Sequence, residues 1–117
     1  MARAVRGEAV PRNALRKQKF DVIVNATPIG MHPHEEISPL GPAELNCSLV
    51  FDLIYRPLRT KLLRIAAQKG IETVSGLEMF LAQGFAQWEM WMKQPAPEAE
   101  MKKAVLRVLK ANEKAGN

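Results

Sequence analysis

A single cysteine, Cys47, among 117 residues leaves no partner for an internal disulfide. The chain is therefore expected in a reducing compartment and outside the class of small disulfide-stapled domains. No apolar run approaches the roughly 20 residues that a membrane-spanning helix needs. The N-terminal segment lacks an apolar signal core, and although rich in arginine it lacks serine and carries Glu8, unlike a transit peptide. Cytoplasm is the resulting expectation. Histidine is scarce too: His32 and His34 stand beside Glu35 and Glu36, but a metal site needs three or four converging ligands, so these residues read as a solvated loop. Much of the net charge of +5 precedes Phe20, in Arg3, Arg6, Arg12, Arg16, Lys17 and Lys19 against Glu8 alone. No aromatic interleaves these cations and no nucleic-acid motif follows, so the basic arm reads as a solvated terminal segment rather than a nucleic-acid footprint.

What is present has the pattern of an α/β protein. Phe20 to Ala26 (FDVIVNA) and Ser48 to Leu53 (SLVFDL) are short runs rich in branched and aromatic residues, as expected of parallel strands buried on both faces. A loop with proline and glycine, Thr27 to Gly41, and one helical turn over Pro42 to Leu45 lie between them. Thr60 to Lys69 reads as a helix capped by Thr60 and stopped by Gly70. Ile71 to Val74 is a third strand, and a strand, helix and strand in this order build a right-handed parallel crossover. Glu8 to Val10 has the look of a short edge strand.

Two more helices follow. Ser75 and Glu78 have the spacing of a capping box at the head of Ser75 to Met92. That helix is apolar nearly all round, which calls for burial on more than one side. Pro95 and Pro97 then break the chain. In the last helix Met101, Ala104, Val105, Val108 and Leu109 define one packing stripe. Cys47, just before a strand, reads as a small buried hydrophobe with no base beside it in sequence.

Open parallel sheets bind ligands at the carboxyl ends of their strands. Three segments qualify: Asn25 to Met31, Leu53 to Pro57, and Ser75 with Gly76. Asn25 and Thr27 offer hydrogen bonds, Tyr55 a phenol, and Gly76 room for close approach. Gln83 is a polar group within an apolar helix; pattern alone leaves open whether it serves a ligand or faces solvent.

The motifs DVIVNATPIGM at Asp21 to Met31, VFDLIYRP at Val50 to Pro57, the Thr60, Leu62, Leu63, Ala66 and Gly70 register, and SGLEMFLAQG at Ser75 to Gly84 with Phe85 and Trp88 occur in one order and spacing. In these the chain resembles the C-terminal part of the shikimate dehydrogenase family, over about Glu8 to Leu109. The resemblance implies the C-terminal half of a Rossmann-like, doubly wound parallel sheet followed by two helices. It divides the chain into residues 1–75, half of a dinucleotide-binding domain, and residues 76–117, helices that return to a substrate domain. It implies NADP as cofactor and reversible reduction of 3-dehydroshikimate to shikimate. Ala26, Thr27 and Pro28 then correspond to the loop along the dinucleotide, and Leu53 to the residue whose backbone faces the nicotinamide. Gly76 and Met79 correspond to residues beside the nicotinamide, while Tyr55 and Gln83 correspond to substrate contacts.

The departures from the family pattern are as specific. The catalytic lysine and aspartate, the serine pair for the substrate carboxylate and the glycine-rich pyrophosphate turn have no counterpart here. Two strands of the family's sheet are likewise without counterpart, and the chain starts within the helix after the second of them. The resemblance thus implies a chain inactive alone, with an open edge on its first strand, that self-associates or pairs with a missing N-terminal half. The alternative is a non-catalytic nucleotide- or shikimate-binding regulatory module.

Overall fold

The computed structural model describes residues 2–116; of the cations in the basic arm, the Arg3 side chain lies outside that description. Three parallel strands, β1 (Phe20–Asn25), β2 (Cys47–Asp52) and β3 (Glu72–Val74), form one sheet in the order β1-β2-β3. Helix α1 (Lys61–Gln68) joins β2 to β3, and helices α2 (Gly76–Met92) and α3 (Glu98–Ala115) end the chain.

Each boundary of α1 has a local cause. The Thr60 hydroxyl accepts the Leu63 backbone amide at 3.3 Å, which caps the first turn. At the other end Gly70 takes a φ of +74°, a left-handed conformation that glycine adopts without steric cost. Its amide then reaches the Ala67 carbonyl and the Ile71 amide reaches that of Ala66, both at 3.0 Å. These two bonds are the paired closure of a Schellman motif.

The core forms on one side of the sheet only. Val50 of β2 packs with Leu45 and with Leu62, Leu63 and Ala66 of α1, flanked by Ile23, Leu40, Cys47, Ile65 and Ile71. The register pairs Val22 with Leu49 and Val24 with Phe51, so these four share the opposite face. There Val22 and Val24 remain about half exposed, at 46% and 50%. The expectation of strands buried on both faces is thus corrected for β1, which lies at the sheet edge with one apolar face uncovered. A doubly wound sheet has helices on both faces, and among the described residues α1 is the helix that packs on β2 and β3.

Several other expectations change. Glu8 to Val10 forms no strand, since no strand lies beside it to complete a ladder; two 3-10 helices, Ala2–Val5 and Arg12–Lys17, bracket it. The basic arm is not wholly solvated: Arg12 makes a two-pronged contact with Glu44, at 2.8 and 2.9 Å. The Arg12 bonds, with help from the Gly41 amide, lower the Glu44 carboxyl to a pKa of about 2. Ser75 precedes α2 as expected, but its side chain makes no capping bond; the Glu78 amide bonds the Ser75 carbonyl instead, at 3.2 Å. In α3, Leu109 is buried and Met101 and Val105 are half-buried, whereas Ala104 and Val108 are exposed. Leu106, outside the predicted stripe, is half-buried as well, so the packed face is shifted to Met101, Val105, Leu106 and Leu109. Cys47 is half-buried, and burial raises its thiol pKa. Among the described residues no helix is long and apolar enough to cross a membrane.

Candidate functional site

The carboxyl ends of β1 and β2 are tied together by a buried polar network. Asp52, the last residue of β2, is fully buried. Its Oδ2 accepts from the Thr60 hydroxyl at 2.7 Å, and its Oδ1 accepts from the Asn25 amide and the Ile54 backbone amide, both at 3.1 Å. A carboxylate out of water is tolerable only when hydrogen bonds replace its hydration, and these three donors do so. Asn25 is in turn fully engaged. Its Nδ2 also donates to the Ile29 carbonyl at 3.2 Å, while its Oδ1 accepts from the Thr27 amide at 3.1 Å and hydroxyl at 2.6 Å. Thr27 Oγ1 then accepts the Ile29 amide at 3.2 Å.

This corrects the sequence reading of Asn25. Its side chain holds the loop after β1 in shape and has no group to spare for a ligand. Asp52 and Thr60, which that reading did not place at the site, anchor the same corner. The available signal was an aspartate at the end of an otherwise apolar strand run.

The loops so fixed border an open cleft of about 620 Å³. Ala26, Thr27 and Pro28 come to it from the end of β1, and Leu53 and Tyr55 from the end of β2. Met31, His32, Ile54 and Arg56 also line it, and Leu109 and Asn112 of α3 close one side. The last turn of α3 is clasped to the β2 loop, where the Glu113 carboxylate accepts the Leu58 amide at 3.1 Å. Neither α3 nor Arg56 was singled out as part of a site by sequence reasoning.

The remaining predicted positions lie elsewhere. Gly76 is buried against the end of β2, not in the lining of the cleft. A Cβ there would stand 2.2 Å from the Leu53 carbonyl oxygen and 2.6 Å from the Ile54 carbonyl carbon. The Gly76 amide donates to the Ile54 carbonyl at 3.3 Å. Its glycine is thus required by the approach of α2 to β2. Met79 and Gln83 sit exposed on α2, outside the cleft lining. Tyr55 stacks on Phe80 of α2, with ring centroids 4.9 Å apart, an arrangement that orients the phenol at the mouth. His32 pairs with Glu35 at 2.7 Å, and no metal-ligating group of three is found among the described residues.

Comparisons with known proteins find similarity to one family over most of the chain. Residues 76–106 match the shikimate 5'-dehydrogenase C-terminal domain family. A shikimate dehydrogenase (NADP(+)) of Thermosynechococcus vestitus is 45% identical over 91 residues, covering 74% of this chain and 32% of the relative. One from Methanosarcina acetivorans is 41% identical over 92 residues, covering 78% of this chain and 33% of the relative. The crystal structure of the Thermus thermophilus shikimate 5-dehydrogenase, in complex with NADP(H) and shikimate, superposes with a TM-score of 0.78 at 32% identity. That superposition covers 91% of this chain and 40% of the other. The chain spans about a third of the length of the curated relatives it matches. By sequence and by fold, it is similar to the C-terminal part of the shikimate dehydrogenases.

Proposed function

We propose that this chain supplies the nicotinamide-side wall and part of the substrate pocket of an NADP-dependent shikimate dehydrogenase, which interconverts 3-dehydroshikimate and shikimate. The observation that carries the reading is the convergence of Ala26, Thr27, Pro28, Leu53 and Tyr55 on one cleft at the strand ends, in a chain akin to shikimate dehydrogenases over most of its length. Parallel sheets place dinucleotides at that edge. Ala26 to Pro28 present a small, rigid surface along which a cofactor lies. Tyr55, held by Phe80, borders the substrate.

When bound, NADPH supplies the hydride that adds to the substrate's keto carbon. The proton that completes the alcohol comes from a general acid. The cleft lining contains neither lysine nor carboxylate, His32 is bonded to Glu35 and Tyr55 is stacked on Phe80; on the shikimate dehydrogenase motif we assign the acid to protein surface beyond this site. Gly76 serves the site at one remove, by seating α2 on the backbone of Leu53 and Ile54. Met79 and Gln83 are assigned to the nicotinamide and to the substrate respectively on the shikimate dehydrogenase motif; their exposure on α2 leaves both side chains free to meet a ligand.

The same reading divides the chain into residues 1–75, a half-domain for the cofactor, and residues 76–117, helices that pack on a substrate domain. Val22 and Val24 on β1, with Met79, Phe80, Met90, Trp91 and Met92 on α2, are exposed. We assign their cover to further protein surface, from an N-terminal half or from a second copy.

The test is turnover and binding with the protein that contains this chain together with a substrate domain. It is expected to reduce NADP in the presence of shikimate, followed by NADPH absorbance. The 117-residue chain alone is expected to show no turnover. Binding of NADPH and shikimate without turnover in the larger protein would favour the regulatory module instead. Failure of the larger protein to bind either compound would sink the dehydrogenase reading.

A further inference from the structure

Within the cleft lining, Arg56 carries a charge that is unpaired among the described residues. Its neighbours Ala26, Thr27, Leu53, Tyr55 and Asn112 are uncharged, and His32 is hydrogen-bonded to Glu35. The Arg56 carbonyl accepts the His32 amide at 3.0 Å, which fixes the backbone from which the side chain springs. Arg56 is half-buried, yet it forms no salt bridge among the described residues, where the arginine that finds a carboxylate is Arg12, with Glu44. A guanidinium partly withdrawn from water without an acceptor is unfavourable on its own. It is also the group whose planar fork of donors matches two oxygens of one anion.

We propose that Arg56 recognises an anionic group of the ligand in this cleft, a phosphate or a carboxylate. This rests on reading the cleft as the ligand site of a dehydrogenase. Both ligands of that reading are anionic: the dinucleotide brings phosphates and shikimate brings a carboxylate. Arg56 adds a permanently charged anchor to a cleft that is otherwise lined by apolar side chains, Thr27, His32, Tyr55 and Asn112, and it draws either anion toward the mouth where Tyr55 stands.

Calorimetric titration of the full-length protein containing this chain tests the assignment, with wild type, Arg56→Gln and Arg56→Lys each titrated with NADPH, shikimate and shikimate methyl ester. A charge-assisted pair is worth about ten- to hundred-fold in affinity, so Arg56→Gln is expected to weaken one ligand by that factor. Arg56→Lys, which keeps the charge and loses the fork, is expected to fall between. Weakening of shikimate, with the uncharged ester bound equally by wild type and Arg56→Gln, identifies the carboxylate. Weakening of NADPH alone identifies a phosphate. Unchanged affinity for both ligands in Arg56→Gln, when wild type binds them, overturns the role of Arg56 and leaves the dehydrogenase reading intact. A wild type that binds neither ligand overturns both.

Discussion

At Asp52 one buried side chain joins β1, β2 and the start of α1, through Asn25, Ile54 and Thr60. Removing a donor to it should be costly out of proportion to the atoms lost. Thr60→Ala deletes both the helix cap, worth about 1 kcal/mol, and a donor to a buried carboxylate, worth about 1–3 kcal/mol. We expect a loss of about 2–4 kcal/mol in urea unfolding; a loss within 0.5 kcal/mol, roughly what a plain surface change produces, would show that the network is dispensable. Glu44 gives a second test at this scale. Its carboxyl is lowered from 4.5 to about 2 by Arg12 and Gly41, so its contribution is fully present above 4.5 and is lost as pH falls toward 2. The melting temperature of Glu44→Gln should therefore lie below that of wild type at neutral pH and converge with it on acidification. A gap that stayed constant over this range would mean the pair contributes nothing through charge. The Arg12–Glu44 pair was hidden because its partners stand 32 positions apart, whereas the Asp52 network showed in the sequence only as an aspartate closing an apolar run.

At the scale of elements, most of the fold could be read from the chain because its signals are local. Thr60 and Gly70 bound α1 as a cap and a stop should, and the strand runs stand within a residue or so of their positions. The exceptions depend on contacts distant in sequence. Glu8 to Val10 had strand character and no strand to pair with. Ser75 had the spacing of a capping box, but its hydroxyl does not close it. The loops that make up the cleft were legible by their position at strand ends, whereas the wall contributed by α3 was not, since it depends on Glu113 reaching Leu58 from 55 residues away. The seat of α2 on β2 is the element contact with least tolerance. Gly76→Ala would place a Cβ 2.2 Å from the Leu53 carbonyl oxygen, and backbone cannot yield as a flexible side chain does. We expect about 3 kcal/mol or more of destabilisation, read as a lowered denaturant midpoint. An alanine variant that melts with wild type would show that α2 sits elsewhere in solution.

For the whole molecule the governing fact is incomplete cover. A sheet with one face packed by α1 and Val22 and Val24 exposed on the other leaves apolar surface in contact with water, next to an unpaired edge of β1. Such surface favours association. Sedimentation of the 117-residue chain should show an average mass that rises with concentration, and the addition of a substrate-domain partner should suppress the rise. A strictly monomeric chain with a cooperative melt at every concentration would count against the proposal that this face is normally covered. The apolar character of α2 was evident in its residues, but nothing in their order could say what would lie against them.

The placement of the aromatic residues on that helix has a practical outcome. Both tryptophans of the chain, Trp88 and Trp91, belong to α2. Trp91 is 69% exposed, whereas the Trp88 indole nitrogen is buried without a partner among the described residues. Intrinsic fluorescence excited at the indole band therefore comes from α2. Whatever comes to rest on this helix would dry the surroundings of Trp91 and shift its emission to the blue, so docking can be followed in solution without attaching a dye.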